Sequence, residues 1–132
     1  MTGLFVLLAG LSGMALVALA AFGAHATAPN GLADPAIFQT AWQMHAVHTA
    51  VLMAIGTCRR SNIWLQASFW LILGGMACFC GSLYGIGINN WRGASVLAPV
   101  GGGMLLIGWF AVIIAGAFRM GYRRSDSADR RR

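Results

Sequence analysis

No aspartate, glutamate, lysine or arginine interrupts four stretches of this chain, residues 2–24, 36–57, 63–88 and 96–118. Charged residues make up only 9% of the 132 positions, against 58% hydrophobic. A soluble domain carries roughly a quarter of its residues charged, so this composition excludes an ordinary soluble fold. Lysine and glutamate are missing altogether, and the three acids, Asp34, Asp126 and Asp129, lie outside the apolar stretches. No carboxylate pair or catalytic triad can be assembled from so little, and nothing supports an enzyme. Cysteine is scarce too. Cys78 and Cys80 are two apart, which sends them to different faces of a helix, and Cys58 stands alone. Without a Cys-x-x-Cys pair, neither a disulfide framework nor a disulfide-exchange enzyme is indicated. The run Gly101-Gly102-Gly103 lacks both the lysine and the spacing of a phosphate-binding loop.

What remains is long apolar runs, and these set the fold. Each exceeds the ~18–20 residues that a helix needs to cross about 30 Å of hydrocarbon. In lipid the backbone must satisfy its own polar groups, so helices are the natural form. The expected architecture is all-α: one four-helix transmembrane domain over residues 1–121, followed by a basic, irregular tail over 122–132. A signal-peptide reading of residues 2–24, with small residues around Ala24 and Ala26, is weaker. It has no basic leading segment, and its apolar run is longer than the ~7–15 residues usual there.

All nine basic residues are arginine, and their positions give orientation. Arg59 and Arg60 separate spans two and three, Arg92 separates spans three and four, and six arginines, among them Arg119, Arg123 and Arg124, follow span four. Eight thus share a side with the N-terminus, against one opposite. The positive-inside rule then puts both termini in the cytoplasm. The net charge of +6 borders spans instead of forming a basic folded surface, so the partner it implies is a lipid headgroup layer, not nucleic acid.

Histidine inside a span is costly and marks a candidate site. His45 and His48 lie within span two, and His25 closes span one. At 1.5 Å per residue, His45 is about 13 Å and His48 about 18 Å below the outer surface. Ser82 and Tyr84, near the outer end of span three, lie about 6–9 Å deep. These five residues form a candidate polar layer in the outer half of the bundle. Trp42, His45, His48 and Thr49 share one helical stripe, which should face the other helices. Gly81 and Gly85 form a small-residue motif suited to close helix packing. It is expected to meet span two, bringing Ser82 or Tyr84 near a histidine. Gly101 and Gly102 are expected to admit a neighbour at the start of span four, with Pro99 in its first turn.

The plain role of the histidines is interhelical hydrogen bonding. Proton handling is an alternative, since imidazole titrates in the physiological range. Metal or haem ligation is another, although His45 and His48 leave one helix in similar directions and no third ligand is evident.

These segments resemble a known family. Ala21–His25, Trp42–His48, Phe79–Tyr84, Pro99–Gly102 and Gly108-Trp109 are similar, in order, to the YgdD-like small inner-membrane proteins, domain of unknown function 423. The resemblance spans about two-thirds of the chain. It implies a four-helix protein of the bacterial inner membrane, both termini inside, with no established activity; no cofactor is expected. His25 and His48 match histidines of the family, and His45 matches one found in part of it. Cys80 stands where serine is usual, and Ala98 where threonine commonly precedes the proline. The reading that follows is a non-enzymatic accessory or assembly protein working with a membrane-protein partner or a second copy of itself. An oligomeric proton-linked transporter or channel is the first alternative, and a metal- or haem-binding redox protein the second.

Overall fold

The computed structural model describes residues 2–26, 31–58 and 62–129, with side chains from Gly3 to Arg119 within those ranges. Four α-helices are present among the described residues: α1 (Thr2–His25), α2 (Pro35–Gly56), α3 (Ile63–Asn89) and α4 (Leu97–Asp129). A 3₁₀ turn, Arg92–Val96, leads into α4. Three segments are long and apolar enough to cross a membrane: Gly3–His25, Ile63–Asn89 and Arg92–Arg119. The fourth helix, α2, has 22 residues and is more polar, carrying Gln39, Gln43, His45 and His48.

Local chemistry explains where the helices begin and end. Asp34 caps α2, its Oδ1 accepting the Ile37 N–H at 3.0 Å, and Pro35 follows where a missing N–H is harmless. Asn62 caps α3 in the same way, accepting the Leu65 N–H at 2.9 Å. At the far end of α3, Asn90 takes the left-handed conformation (φ 54°). Its N–H bonds Ile86 O and the Trp91 N–H bonds Gly85 O, closing the helix as a Schellman-type cap. The tail expected to be irregular from Tyr122 instead continues α4 as helical backbone to Asp129. Arginine and alanine favour helix, and nothing between Tyr122 and Asp129 breaks it. Of the arginines used to infer orientation, Arg59 and Arg60 lie outside the described residues, as do the side chains of Arg123 and Arg124. Arg119 reaches Cys58, its Nη2 lying 3.0 Å from Sγ.

The helices pack as neighbours in chain order. α3 lies most extensively against α4 and then α2, while α1 runs along α2. Backbone closeness depends on individual glycines. A Cβ on Gly101 would run into the Phe79 backbone nitrogen and would stand 2.7 Å from Gly75 O. One on Gly87 would stand 2.9 Å from Phe38 N. α3 therefore meets α4 at Gly75 and Gly101, and meets α2 at Gly87. The expectation for Gly81 and Gly85 is corrected by this register. A Cβ on Gly81 would meet nothing within 4 Å, and Gly85 lies under the Trp91 ring, not against α2. Gly102 makes only ordinary contact with the Phe79 ring.

Long side chains bridge the non-adjacent helices. Phe5 of α1 stacks on Phe69 of α3 with ring centroids 4.0 Å apart. Phe69, Leu52, Ile72 and Ser68 are fully buried at the centre. Among the described residues, the Ser68 hydroxyl has no hydrogen-bond partner. An orphaned buried hydroxyl is destabilising by about 1–3 kcal/mol, while alanine would vacate only one atom. Ser68→Ala is expected to stabilise the fold by about 1 kcal/mol, read as a higher melting temperature in detergent. A lower one would show that the hydroxyl is satisfied.

Candidate functional site: a polar chain at mid-bundle

The centre of the molecule holds an unbroken run of polar side chains from three helices. Ser12 is the only polar residue between Thr2 and His25 in α1, and it stands halfway along a helix of 24 residues. Its Oγ lies 2.6 Å from Thr49 Oγ1 and 3.1 Å from His45 Nε2. The other ring nitrogen, His45 Nδ1, lies 3.3 Å from the Tyr84 hydroxyl. Ser12 and Thr49 also approach the Met76 sulfur, each at 4.0 Å. All five residues are buried. Ser12, His45 and Met76 lie near the midpoints of their helices, and the Tyr84 hydroxyl reaches this level from nearer the end of α3.

A neutral imidazole has one N–H and one acceptor nitrogen. The Thr49–Ser12–His45–Tyr84 chain can therefore be ordered in two ways. In one, His45 Nε2–H donates to Ser12, and Tyr84 donates to Nδ1. In the other, Nδ1–H donates to Tyr84, and Ser12 donates to Nε2. Past Thr49 the chain ends on a thioether, a weak acceptor with no proton to pass on.

His48 behaves differently. Its Nδ1 lies 2.7 Å from Met44 O, a carbonyl that can only accept, so Nδ1 carries the hydrogen. Its Nε2 lies 3.3 Å from Trp109 Nε1, an indole that can only donate. One tautomer satisfies both contacts, and His48 becomes a fixed link from α2 to α4. Three residues along a helix turn the side chain by about 60° from its predecessor, which is why His45 faces Ser12 and Tyr84 while His48 faces Trp109.

The expected five-residue layer is thus divided. His45 and Tyr84 are together. His48 is buried but serves another contact, and the Ser82 hydroxyl donates to Phe79 O of its own helix at 2.8 Å. His25 is exposed at the end of α1, about 20 Å along that helix from Ser12. Asp34 is occupied as the α2 cap, and its backbone N–H bonds Gly87 O at 3.0 Å. Sequence reasoning missed Ser12, Met76 and Trp109 as members of the polar contacts. The isolation of Ser12 within an apolar helix was the signal that could have found it. Among the described residues, no three His, Cys, Asp or Glu side chains gather as a metal ion requires.

Comparison with known proteins now bears on the chain. A family model described as "Protein of unknown function (DUF423)" matches residues 19–102, more than half of the sequence. The chain belongs to the DUF423 family. Among curated relatives, it is 36% identical over 124 residues to the UPF0382 inner membrane protein YgdD of Escherichia coli K12, covering 91% of this chain and 94% of that protein. A UPF0382 membrane protein of Staphylococcus epidermidis is 32% identical over 114 residues, covering 84% and 93%. No solved structure matches. The chain is therefore a membrane protein of a family without an assigned activity. The DUF423 match includes His45, His48, Thr49, Met76 and Tyr84 but stops short of Ser12 and Trp109 on either side.

For this DUF423 protein the geometry predicts a definite NMR result. Ring-nitrogen shifts are expected to report His48 as the Nδ1–H tautomer, the less common form for a free imidazole. An Nε2–H signal on His48 would remove the Trp109 link.

Proposed function

We propose that this DUF423 protein is a four-span protein of the inner membrane, with both termini cytoplasmic, that works as a non-enzymatic accessory or assembly subunit. The observation that carries this reading is the internal use of the polar centre. Both ring nitrogens of His45 and both of His48 are spent on partners within the chain. Such groups hold helices in register and present no activated nucleophile or acid–base pair. Insertion of α2 is supported by the same contacts, since its His45, His48 and Thr49 are buried against other helices and turned from lipid. The arginine asymmetry supports the orientation.

The outer faces suit a helical partner. Gly3, Gly10 and Gly116 are exposed, and among the described residues no side chain and no other helix comes within 4 Å of where a Cβ would stand; small residues on an exposed face let another helix approach closely. The test is co-purification of the native protein in mild detergent, by wild type and by Gly10→Leu. Wild type should bring down a second membrane protein, or a second copy, in fixed ratio, and Gly10→Leu should lose it. A lone monomer, or pH-driven flux in vesicles that vanishes with His45→Ala, would defeat the accessory reading. Orientation is checked separately with C-terminal green fluorescent protein, which is expected to fluoresce, as it does only on the cytoplasmic side.

A further inference from the structure

Between α1 and α3, over the floor made by His45, lies an open groove of about 410 Å³. Its walls include Leu8, Leu11, Leu19, Leu73 and Ala77. Ser12, His45 and Tyr84 also line it, so the polar chain surfaces at the groove. No aspartate, glutamate, lysine or arginine is among the lining residues. The volume lies within the range of clefts that hold small molecules, ~300–1,000 Å³.

Gly81 also lines this groove. Glycine inside a helix is unfavourable unless something needs the missing side chain, yet a Cβ on Gly81 would touch nothing within 4 Å. No neighbouring backbone uses the space. What Gly81 keeps is room.

We propose that the groove binds the head of a lipophilic quinone or its quinol, entering laterally from the membrane. Three features of the groove select this class. A charged headgroup would be buried without a counter-charge, which is strongly unfavourable, so the occupant is neutral. The polar floor stands near mid-depth, about 15 Å along α2 from Pro35, where a phospholipid head does not reach, so the occupant's polar end resides in the hydrocarbon. The two orders of the Ser12–His45–Tyr84 chain present a free Tyr84 O–H in one case and a free Tyr84 lone pair in the other. A carbonyl fits the first and a ring hydroxyl the second, and quinone and quinol are the neutral pair that offers both. The inference concerns binding alone and stands apart from the accessory role, which is tested on Gly10 at a different face.

The experiment uses the full chain in detergent with a benzoquinone bearing a photoreactive alkyl tail. Label is mapped by mass spectrometry, and decyl-benzoquinone or a phospholipid serves as competitor. Saturable labelling of α1 and α3 groove residues, displaced by decyl-benzoquinone, is expected. Gly81→Leu, whose Cβ meets no neighbouring helix and whose longer side chain takes up groove space, is expected to reduce labelling at least tenfold with its melting temperature maintained. Tyr84→Phe is expected to weaken competition several-fold. Unsaturable labelling, equal labelling of Gly81→Leu, or displacement by phospholipid and not by the quinone would overturn the proposal.

Discussion

Gly101→Val is expected to destabilise the protein by about 3 kcal/mol or more, at the upper end of overpacking costs because the obstacle is backbone. The added Cβ would collide with the Phe79 nitrogen and crowd Gly75 O. Neither can rotate away as a side chain would, so α3 and α4 would have to part along their most extensive contact. Gly75→Ala meets the same surface from the other side, with Gly101 O and Leu105 N both 2.9 Å from the new carbon. The two substitutions share one displacement, so their combined cost should fall below their sum. Gly103→Ala provides the contrast. Its Cβ would meet nothing within 4 Å, and exchange of a helical glycine for alanine is expected to gain up to about 1 kcal/mol. Equilibrium unfolding in mixed micelles measures all four variants. Gly101→Val unfolding within 0.5 kcal/mol of wild type, roughly the error of such comparisons, would mean the helices do not meet at this glycine.

His45→Leu is the second large effect, expected at about 2 kcal/mol. The replacement fills similar space but strands the Tyr84 hydroxyl in an apolar setting and removes one partner of Ser12. The asymmetry between broken and absent hydrogen bonds gives a sharper expectation. Adding Ser12→Ala and Tyr84→Phe to His45→Leu should recover most of the loss, because Thr49 can turn its hydroxyl to the carbonyl of its own helix. Stability would then return without the polar chain, whereas quinone labelling would not. A triple variant no more stable than His45→Leu alone would show that His45 acts by volume and not by hydrogen bonding.

The sequence made the helices legible because absence of charge over such lengths leaves few other forms. It also led to the expectation of Ser82 or Tyr84 near a histidine, and Tyr84 stands 3.3 Å from His45 while Ser82 bonds within its own helix. What it could not supply was rotation and register between helices. Gly81-x-x-x-Gly85 and Gly101-Gly102 look alike as small-residue motifs, yet Gly101 meets Phe79 backbone, Gly85 lies under Trp91, and Gly81 opens on a groove. Those outcomes depend on which neighbour a face is turned toward, a three-dimensional fact with no local signal. The same applies to His48. Its spacing from His45 suggests shared work, but about 60° of rotation sends it to Trp109, 61 positions away.

The order in which α1, α2, α3 and α4 touch has a consequence for biogenesis. Each main contact joins helices consecutive in the chain, so each helix after α1 finds the preceding one already made and ready to pack against. Pairing that is local in sequence forms quickly and leaves little apolar surface searching for a distant mate. α1 and α2 can join first, α3 can then seat Gly87 against Phe38, and α4 can add last against Gly75. Only with α4 in place does the Trp109 indole reach His48, so this one bond reports that the last helix has docked against α2.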